Sequence, residues 1–177
     1  AATSLHKLQP SSQSAYFLYK LNAARGNFDE AVKYISEALT YPEISVETAA
    51  DYNYEAATFC VKNGKNAKAL EFANKSMELA DSYKGKAYFL IGTIWGATTC
   101  GGDEISRRAP YWVAYDYMAK AKEADPSLAE DCNRMMSQYR VYFPQTAEAF
   151  MYDLTDGKPY KVSCNGMTAN TTVRTQK

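Results

Sequence analysis

Small and apolar residues recur three and four positions apart along most of the chain, from residue 12 to residue 151. Residues at this spacing lie on one face of a helix, so the pattern predicts a succession of helices joined by short turns. Gly26 and Gly64 are typical residues for helix ends, and Asn27 followed by Glu30 is typical of a helix start. The pattern therefore predicts an all-α fold.

The helical pattern repeats along the chain. Gly26 and Gly64 are 38 residues apart, and so are Ala31 and Ala69. Small or apolar residues at spacings of four and three form a helix face that can approach a neighbouring helix closely. Three segments carry such a face: Ala31, Ile35 and Ala38; Ala69, Ala73 and Ser76; and Ala114, Met118 and Ala121.

The third of these segments follows a helix with a characteristic order of residue types: Tyr88, Ile91, Gly92 and Trp95. Pro126 comes shortly after the segment. This order resembles the tetratricopeptide repeat family, whose units of about 34 residues are pairs of antiparallel helices stacked into a superhelix. The resemblance implies an α-α superhelix of about three helix pairs with a capping helix.

Four segments resemble exported bacterial tetratricopeptide proteins more closely: residues 97–109, 109–112, 160–167 and 172–175. This resemblance implies a periplasmic or secreted protein whose signal peptide has been removed, and it implies no particular activity. The start at Ala1, without Met, also fits a trimmed chain. A cytoplasmic location therefore remains the alternative.

The pattern predicts three parts of the chain. An N-terminal tail covers residues 1–11, and a tetratricopeptide-like helical domain covers residues 12–151. Within it, residues 97–109 form an insert, because the spacing between the two helices there is about ten residues longer than the family pattern. The last part, residues 152–177, is predicted to be a hairpin and tail packed on the last helices.

The C-terminal part carries a hairpin signal. Asn165 and Gly166 favour a two-residue turn between strands, and Tyr160, Val162 and Cys164 alternate before it. A two-stranded hairpin alone is marginally stable in water, so we expect it to lie against the helices.

The resemblance also implies a binding surface, because the first helix of each tetratricopeptide pair lines a concave groove that usually holds a peptide. One face of these helices carries aromatic rings with a polar side chain one turn away. Rings supply contact area at low entropic cost, and polar groups bind a peptide backbone. The alternative is that the rings only pack between helices. The predicted groove residues are Tyr16, Lys20, Tyr54, Thr58, Phe89, Thr93 and Asn133.

The insert is predicted to be a compact charged loop after two glycines, and loops of this kind often carry recognition. The alternative is that its charges pair with one another at helical spacing. A metal ion would need more oxygen ligands than the insert offers, so no metal is expected. The charged residues of the insert are Asp103, Glu104, Arg107 and Arg108.

Composition and charge narrow the possible partners. Twenty Lys and Arg residues balance twenty Asp and Glu residues, which argues against a nucleic acid held by bulk positive charge. No apolar stretch is long enough to span a bilayer. Four scattered cysteines allow three disulfide pairings and equally allow free buried thiols. They are Cys60, Cys100, Cys132 and Cys164.

The sequence gives little support for catalysis. The only histidine, His6, is predicted to lie in a loose tail without a partner, so a held catalytic base is missing. We therefore expect a non-catalytic scaffold that binds a protein or peptide, without a cofactor. Two other classes remain open: a structural module that self-associates through the insert or the C-terminal strand, and an enzyme that uses Cys100 as nucleophile. The oligomeric state stays open.

Overall fold

The computed structural model describes residues 1–176. The chain folds as two compact units, the first Ala1–Tyr83 and the second beginning at Lys84. Helices account for 68% of the chain, and the strands form one antiparallel pair, so the predicted helical class with a C-terminal hairpin is confirmed. The helices are α1 (Ala2–Leu8), α2 (Ser12–Ala24), α3 (Phe28–Ala38), α4 (Val46–Lys62), α5 (Asn66–Leu79), α6 (Lys84–Gly96), α7 (Glu104–Ala124), α8 (Ala129–Arg140) and α9 (Thr146–Phe150). The strands are β1 (Pro159–Cys164) and β2 (Met167–Thr172).

The first unit contains two helix pairs, α2 with α3 and α4 with α5. Gly26 and Gly64 link the helices within each pair at φ of +75° and +71°, the left-handed conformation that glycine adopts without steric cost. The predicted start of α3 is correct, but the Asn27 side chain does not cap it. Its amide instead donates a hydrogen bond to the Asn22 side chain, at 3.2 Å.

The predicted small helix faces form the centre of these pairs. Ala31, Ile35 and Ala38 of α3 and Ala69, Ala73 and Ser76 of α5 have no exposed surface. Larger side chains there would hold the paired helices apart. The internal repeat in the sequence therefore corresponds to equivalent packing positions in successive helix pairs.

The second unit is built around α7, which packs against both α6 and α8. Trp95 of α6 and Trp112 of α7 are fully buried. At Gly92, an added Cβ would lie 2.9 Å from the Met118 methyl carbon and 3.4 Å from the Ala114 carbonyl oxygen. Gly92 thus allows α6 to approach the small face of α7.

The charged end of the insert is helical, which corrects the expectation of a loop over the whole of residues 97–109. The helix α7 begins at Glu104, and its N-terminus is capped by Asp103, which accepts a hydrogen bond from the Ser106 N–H at 2.8 Å. Ile105 and Ala109 are buried, so an apolar face holds these first turns against the unit. Only residues 97–103 lie between α6 and α7.

The expectation of a loose N-terminal tail is also wrong. Residues 2–8 form α1, and His6 is only 8% exposed. The two ring nitrogens of His6 are hydrogen-bonded to Ser14 of α2 and Glu37 of α3. This pair of polar contacts anchors α1 on the first helix pair.

The C-terminal hairpin has the predicted turn. Cys164 pairs with Met167, and Asn165 and Gly166 between them both have positive φ, at 52° and 75°. The hairpin lies against α7, where Tyr160 contacts Trp112 edge to face with 5.2 Å between ring centroids. A disulfide between Cys100 and Cys164 ties it to the segment after α6.

Among residues 1–176, no helix combines the length and the apolar character that crossing a membrane requires.

Candidate functional site

Two of the predicted groove residues, Lys20 and Thr58, line one open cleft in the first unit. We call it the first-unit cleft; it measures about 530 Å³ and lies between α2 and α4. Helical spacing explains the arrangement, because each helix presents residues three or four positions apart along the same wall. Its walls include Tyr19, Lys20, Glu55, Thr58, Phe59 and Lys62.

Tyr16 lies one turn before Lys20 on α2, and its hydroxyl donates a hydrogen bond to the Glu55 carboxylate at 2.7 Å. Its ring stacks on Tyr52 with 4.4 Å between centroids, and the Lys20 ammonium lies 5.4 Å from the Tyr16 centroid. Burial and the neighbouring Glu55 carboxylate raise the pKa of Tyr16. Tyr16 therefore orients Glu55 at the edge of the first-unit cleft and packs on its neighbours at the same time.

Tyr54 lies elsewhere in the first unit. Its ring contacts Tyr83 at a centroid distance of 5.9 Å, and burial raises its pKa. The Tyr83 hydroxyl donates a hydrogen bond to Asp51 at 2.9 Å, and burial together with that carboxylate raises the pKa of Tyr83 to about 12. Tyr54 is not among the residues that line the first-unit cleft.

The two predicted threonines use their hydroxyl protons within their own helices. Thr58 donates to the Glu55 carbonyl at 2.8 Å, and Thr93 donates to the Leu90 carbonyl at 2.7 Å. Hydroxyl oxygens retain acceptor capacity when they donate. Both threonine hydroxyl oxygens therefore remain available to accept a hydrogen bond from a ligand.

Thr93 lines a second open cleft, which we call the tyrosine cleft. It measures about 510 Å³ and is lined by residues of α6, α7, α8 and the segment after α8 in the second unit. The side chains that shape it include Thr93, Tyr111, Met135, Gln138, Tyr139 and Tyr142.

The three tyrosines of this cleft form a row. Tyr111 lies 6.0 Å from Tyr139 and 4.1 Å from Tyr142, measured between ring centroids, and its ring is nearly parallel to that of Tyr142. Burial raises the pKa of Tyr139 to about 12 and also raises that of Tyr111. Gly96 makes room for the row, since an added Cβ there would lie 2.5 Å from the Tyr139 hydroxyl oxygen.

The remaining groove residues do not line these two clefts. Phe89 is half-buried on α6. Asn133 is exposed on α8, and its side-chain oxygen accepts a hydrogen bond from the Lys122 ammonium of α7 at 2.8 Å. Asn133 therefore bridges two helices.

The insert residues form local contacts on α7. Glu104 accepts a hydrogen bond from Arg107 at 3.3 Å, while Arg108 pairs with Glu148 at the short helix α9. The hydrogen bond from the Ser106 backbone lowers the pKa of Asp103. Glu104 and Arg107 thus pair at helical spacing, whereas the expected pairs Asp103–Arg107 and Glu104–Arg108 do not form and Arg108 pairs with a residue 40 positions away.

The cysteines are one disulfide pair and two buried thiols. Cys100 and Cys164 are bonded, so Cys100 has no free thiol in this state. Burial raises the pKa of Cys60 to about 11 and also raises that of Cys132. Within residues 1–176, no three His, Cys, Asp or Glu side chains are grouped to hold a metal ion.

The sequence does not predict the tyrosine row. Tyr139 and Tyr142 are three residues apart, a spacing that hints at a shared face, but Tyr111 lies on another helix. Fifteen tyrosines are spread over the chain, so residue type alone does not select these three. Only the packing of α7 on α8 brings them together.

Comparison of the sequence with models of known protein families and with characterised proteins finds no match.

Proposed function

We propose that the protein is a non-catalytic scaffold that binds extended polypeptide segments between the first helices of successive tetratricopeptide-like helix pairs. In this proposal the helix pairs belong to a superhelix of the tetratricopeptide type. Three helix pairs with small, buried positions at the motif spacing support it. The partner is a protein or peptide.

One observation carries the proposal. Residues predicted from the first-helix faces, Lys20 and Thr58 in one unit and Thr93 in the other, line open clefts of about 530 and 510 Å³. Each cleft combines aromatic rings with polar groups, which is the composition of surfaces that bind polypeptides. Tyr16, Tyr54 and Phe89 stay predicted contacts of the bound segment.

The same proposal places the protein in the bacterial cell envelope. The disulfide between Cys100 and Cys164 supports this location, because disulfides persist in oxidising compartments such as the periplasm. A cytoplasmic location would leave these two cysteines reduced.

The experiment is a selection of binders from a random peptide library displayed on phage, followed by fluorescence anisotropy with the labelled peptides. Lys20→Glu reverses an exposed charge on the wall of the first-unit cleft, and Thr93→Arg fills the tyrosine cleft. We expect each selected peptide to bind one of the two variants at least about tenfold more weakly than it binds the wild type.

Lys161→Glu is the matched control, because Lys161 is exposed on β1 and distant in sequence from both clefts. Its affinities should stay within about twofold of the wild type, and all three variants should keep the wild-type melting temperature. If no selected peptide responds to Lys20→Glu or Thr93→Arg, the proposed function is wrong.

A further inference from the structure

The tyrosine cleft differs from the first-unit cleft in its charge. The side chains that line the tyrosine cleft are all uncharged, whereas Lys20, Lys62 and Glu55 line the first-unit cleft. A ligand charge that entered the tyrosine cleft would lose hydration without gaining a partner, which is unfavourable. The electrostatic complement of this cleft is therefore a neutral ligand.

We propose that the tyrosine cleft binds an uncharged, proline-rich polypeptide segment in the polyproline II conformation. This inference rests on the proposed function, since it names the class of segment that one of the two clefts takes. The proposed ligand is a polypeptide. A carbohydrate also stacks on aromatic rings, so the test includes a neutral oligosaccharide.

The tyrosine row has a graded exposure that suits such a segment. Tyr139 is 5% exposed at the floor, Tyr111 is half-buried beside it, and Tyr142 is 48% exposed at the rim, next to Val141 at 71%. One face of the Tyr142 ring is covered by Tyr111, so the ring is held in place before any ligand arrives. Rigid rings bind at low entropic cost, and aromatic-lined grooves are the surfaces that dock polyproline II segments.

The hydrogen-bonding groups of the cleft fit the same segment. A polyproline II helix has no internal hydrogen bonds, so its carbonyl oxygens need donors, while proline itself has no N–H. Gln138 is exposed on the wall formed by α8, and its side-chain amide supplies donors. The hydroxyl proton of Thr93 is already used within α6. A preformed helix of this kind also loses little conformational entropy on binding.

The test uses the full chain and an end-capped, fluorescein-labelled polyproline peptide. A Gly/Ser peptide of the same length and zero charge is the reference ligand. Wild-type protein should bind the polyproline peptide at least about tenfold more tightly in fluorescence anisotropy. Tyr142→Ala should bind polyproline at least about tenfold more weakly than the wild type, because an exposed rim ring is the expected hot spot.

Tyr152→Ala is the matched control, since Tyr152 is 41% exposed and lies outside the cleft. It should bind polyproline within about twofold of the wild type. Melting temperatures identify variants that lose affinity because they unfold. Gln138→Ala, on the exposed face of α8, should weaken binding without lowering the melting temperature.

Three results would overturn the inference: equal affinity for the polyproline and Gly/Ser peptides, wild-type affinity in Tyr142→Ala, or Tyr142-dependent binding of a neutral oligosaccharide but not of polyproline. The library selection separates this failure from that of the proposed function. Selected peptides that lack proline but respond to Thr93→Arg would leave the scaffold function standing and remove only the proline-rich ligand.

Discussion

Cys100 and Cys164 form a disulfide that joins residues 64 positions apart, the first in the segment after α6 and the second at the end of β1. Beside it, the Asn165 side chain donates a hydrogen bond to the Thr99 carbonyl at 3.1 Å. The hairpin is thus fixed to the segment after α6 by a covalent bond next to a polar contact.

Removal of this disulfide should destabilise the second unit. The double variant Cys100→Ser/Cys164→Ser removes a cross-link, so the unfolded chain has more accessible conformations. This gain in conformational entropy lowers the free energy of unfolding by about 2 to 4 kcal/mol. Both tryptophans, Trp95 and Trp112, are buried in this unit, so tryptophan fluorescence during guanidinium unfolding reports on it selectively. A reductant should shift the wild type to the same extent and leave the double variant unchanged. Equal midpoints for the reduced and oxidised wild type would contradict the prediction.

The two free thiols should be unreactive in the folded protein. Cys60 and Cys132 have no exposed surface, and burial raises the pKa of both thiols, so little reactive thiolate is present near neutral pH. Two thiols per chain should react with a chromogenic disulfide reagent after unfolding without reductant, and four after reduction. Rapid labelling of either cysteine before unfolding, identified by peptide mapping, would disprove this protection.

Gly166→Ala should weaken the hairpin. Gly166 has φ of +75°, where an added Cβ costs about 1 kcal/mol or more. Gly101→Ala is the control, because an added Cβ there would have no atom within 4 Å. We expect a lower midpoint of tryptophan-detected unfolding for Gly166→Ala and little change for Gly101→Ala. A Gly166→Ala midpoint equal to that of the wild type would show that the positive φ of Gly166 does not limit stability.

The features that the sequence predicted are local ones. Asn165 and Gly166 select a turn by their own backbone preferences, and Gly26 and Gly64 end helices for the same reason. The small faces of α3 and α5 follow from helical periodicity alone. For these elements, neighbouring residues contain the physical cause of the structure.

The errors arose where distant residues decide the structure. His6 is held by Glu37, 31 residues away, and Arg108 by Glu148, 40 residues away. The predicted insert ends just before Pro110, a residue type that is best tolerated in the first turn of a helix. The cap at Asp103 and the buried face of the first turns extend α7 in the N-terminal direction beyond it. The tyrosine cleft likewise depends on the packing of separate helices.

The contact between Gly96 and Tyr139 predicts that Gly96→Ala is destabilising. Alanine is the better helix former, but its Cβ would lie 2.5 to 2.7 Å from the rigid Tyr139 ring, and such overpacking costs about 1 to 3 kcal/mol. Gly92→Ala should cost less, because its nearest contact is the flexible end of Met118. Thermal unfolding of both variants checks the order. If Gly92→Ala were the less stable variant, the contact with the Tyr139 ring would not be what restricts residue 96 to glycine.

Tyr139 also predicts how the second unit responds to high pH. In the unfolded chain its phenol ionises near its ordinary pKa of 10.0, while burial raises the pKa in the folded protein to about 12. The unfolded chain therefore loses this proton first, so the free energy of unfolding is unaffected well below pH 10.0 and falls between pH 10.0 and about 12. Tyr139→Phe removes this ionisation and should retain a larger fraction of its neutral-pH stability in that range. Tryptophan-detected unfolding at a series of pH values measures the difference, and the ultraviolet absorbance of tyrosinate follows the ionisation itself. An identical alkaline loss in wild type and Tyr139→Phe would show that Tyr139 does not ionise on unfolding in this range.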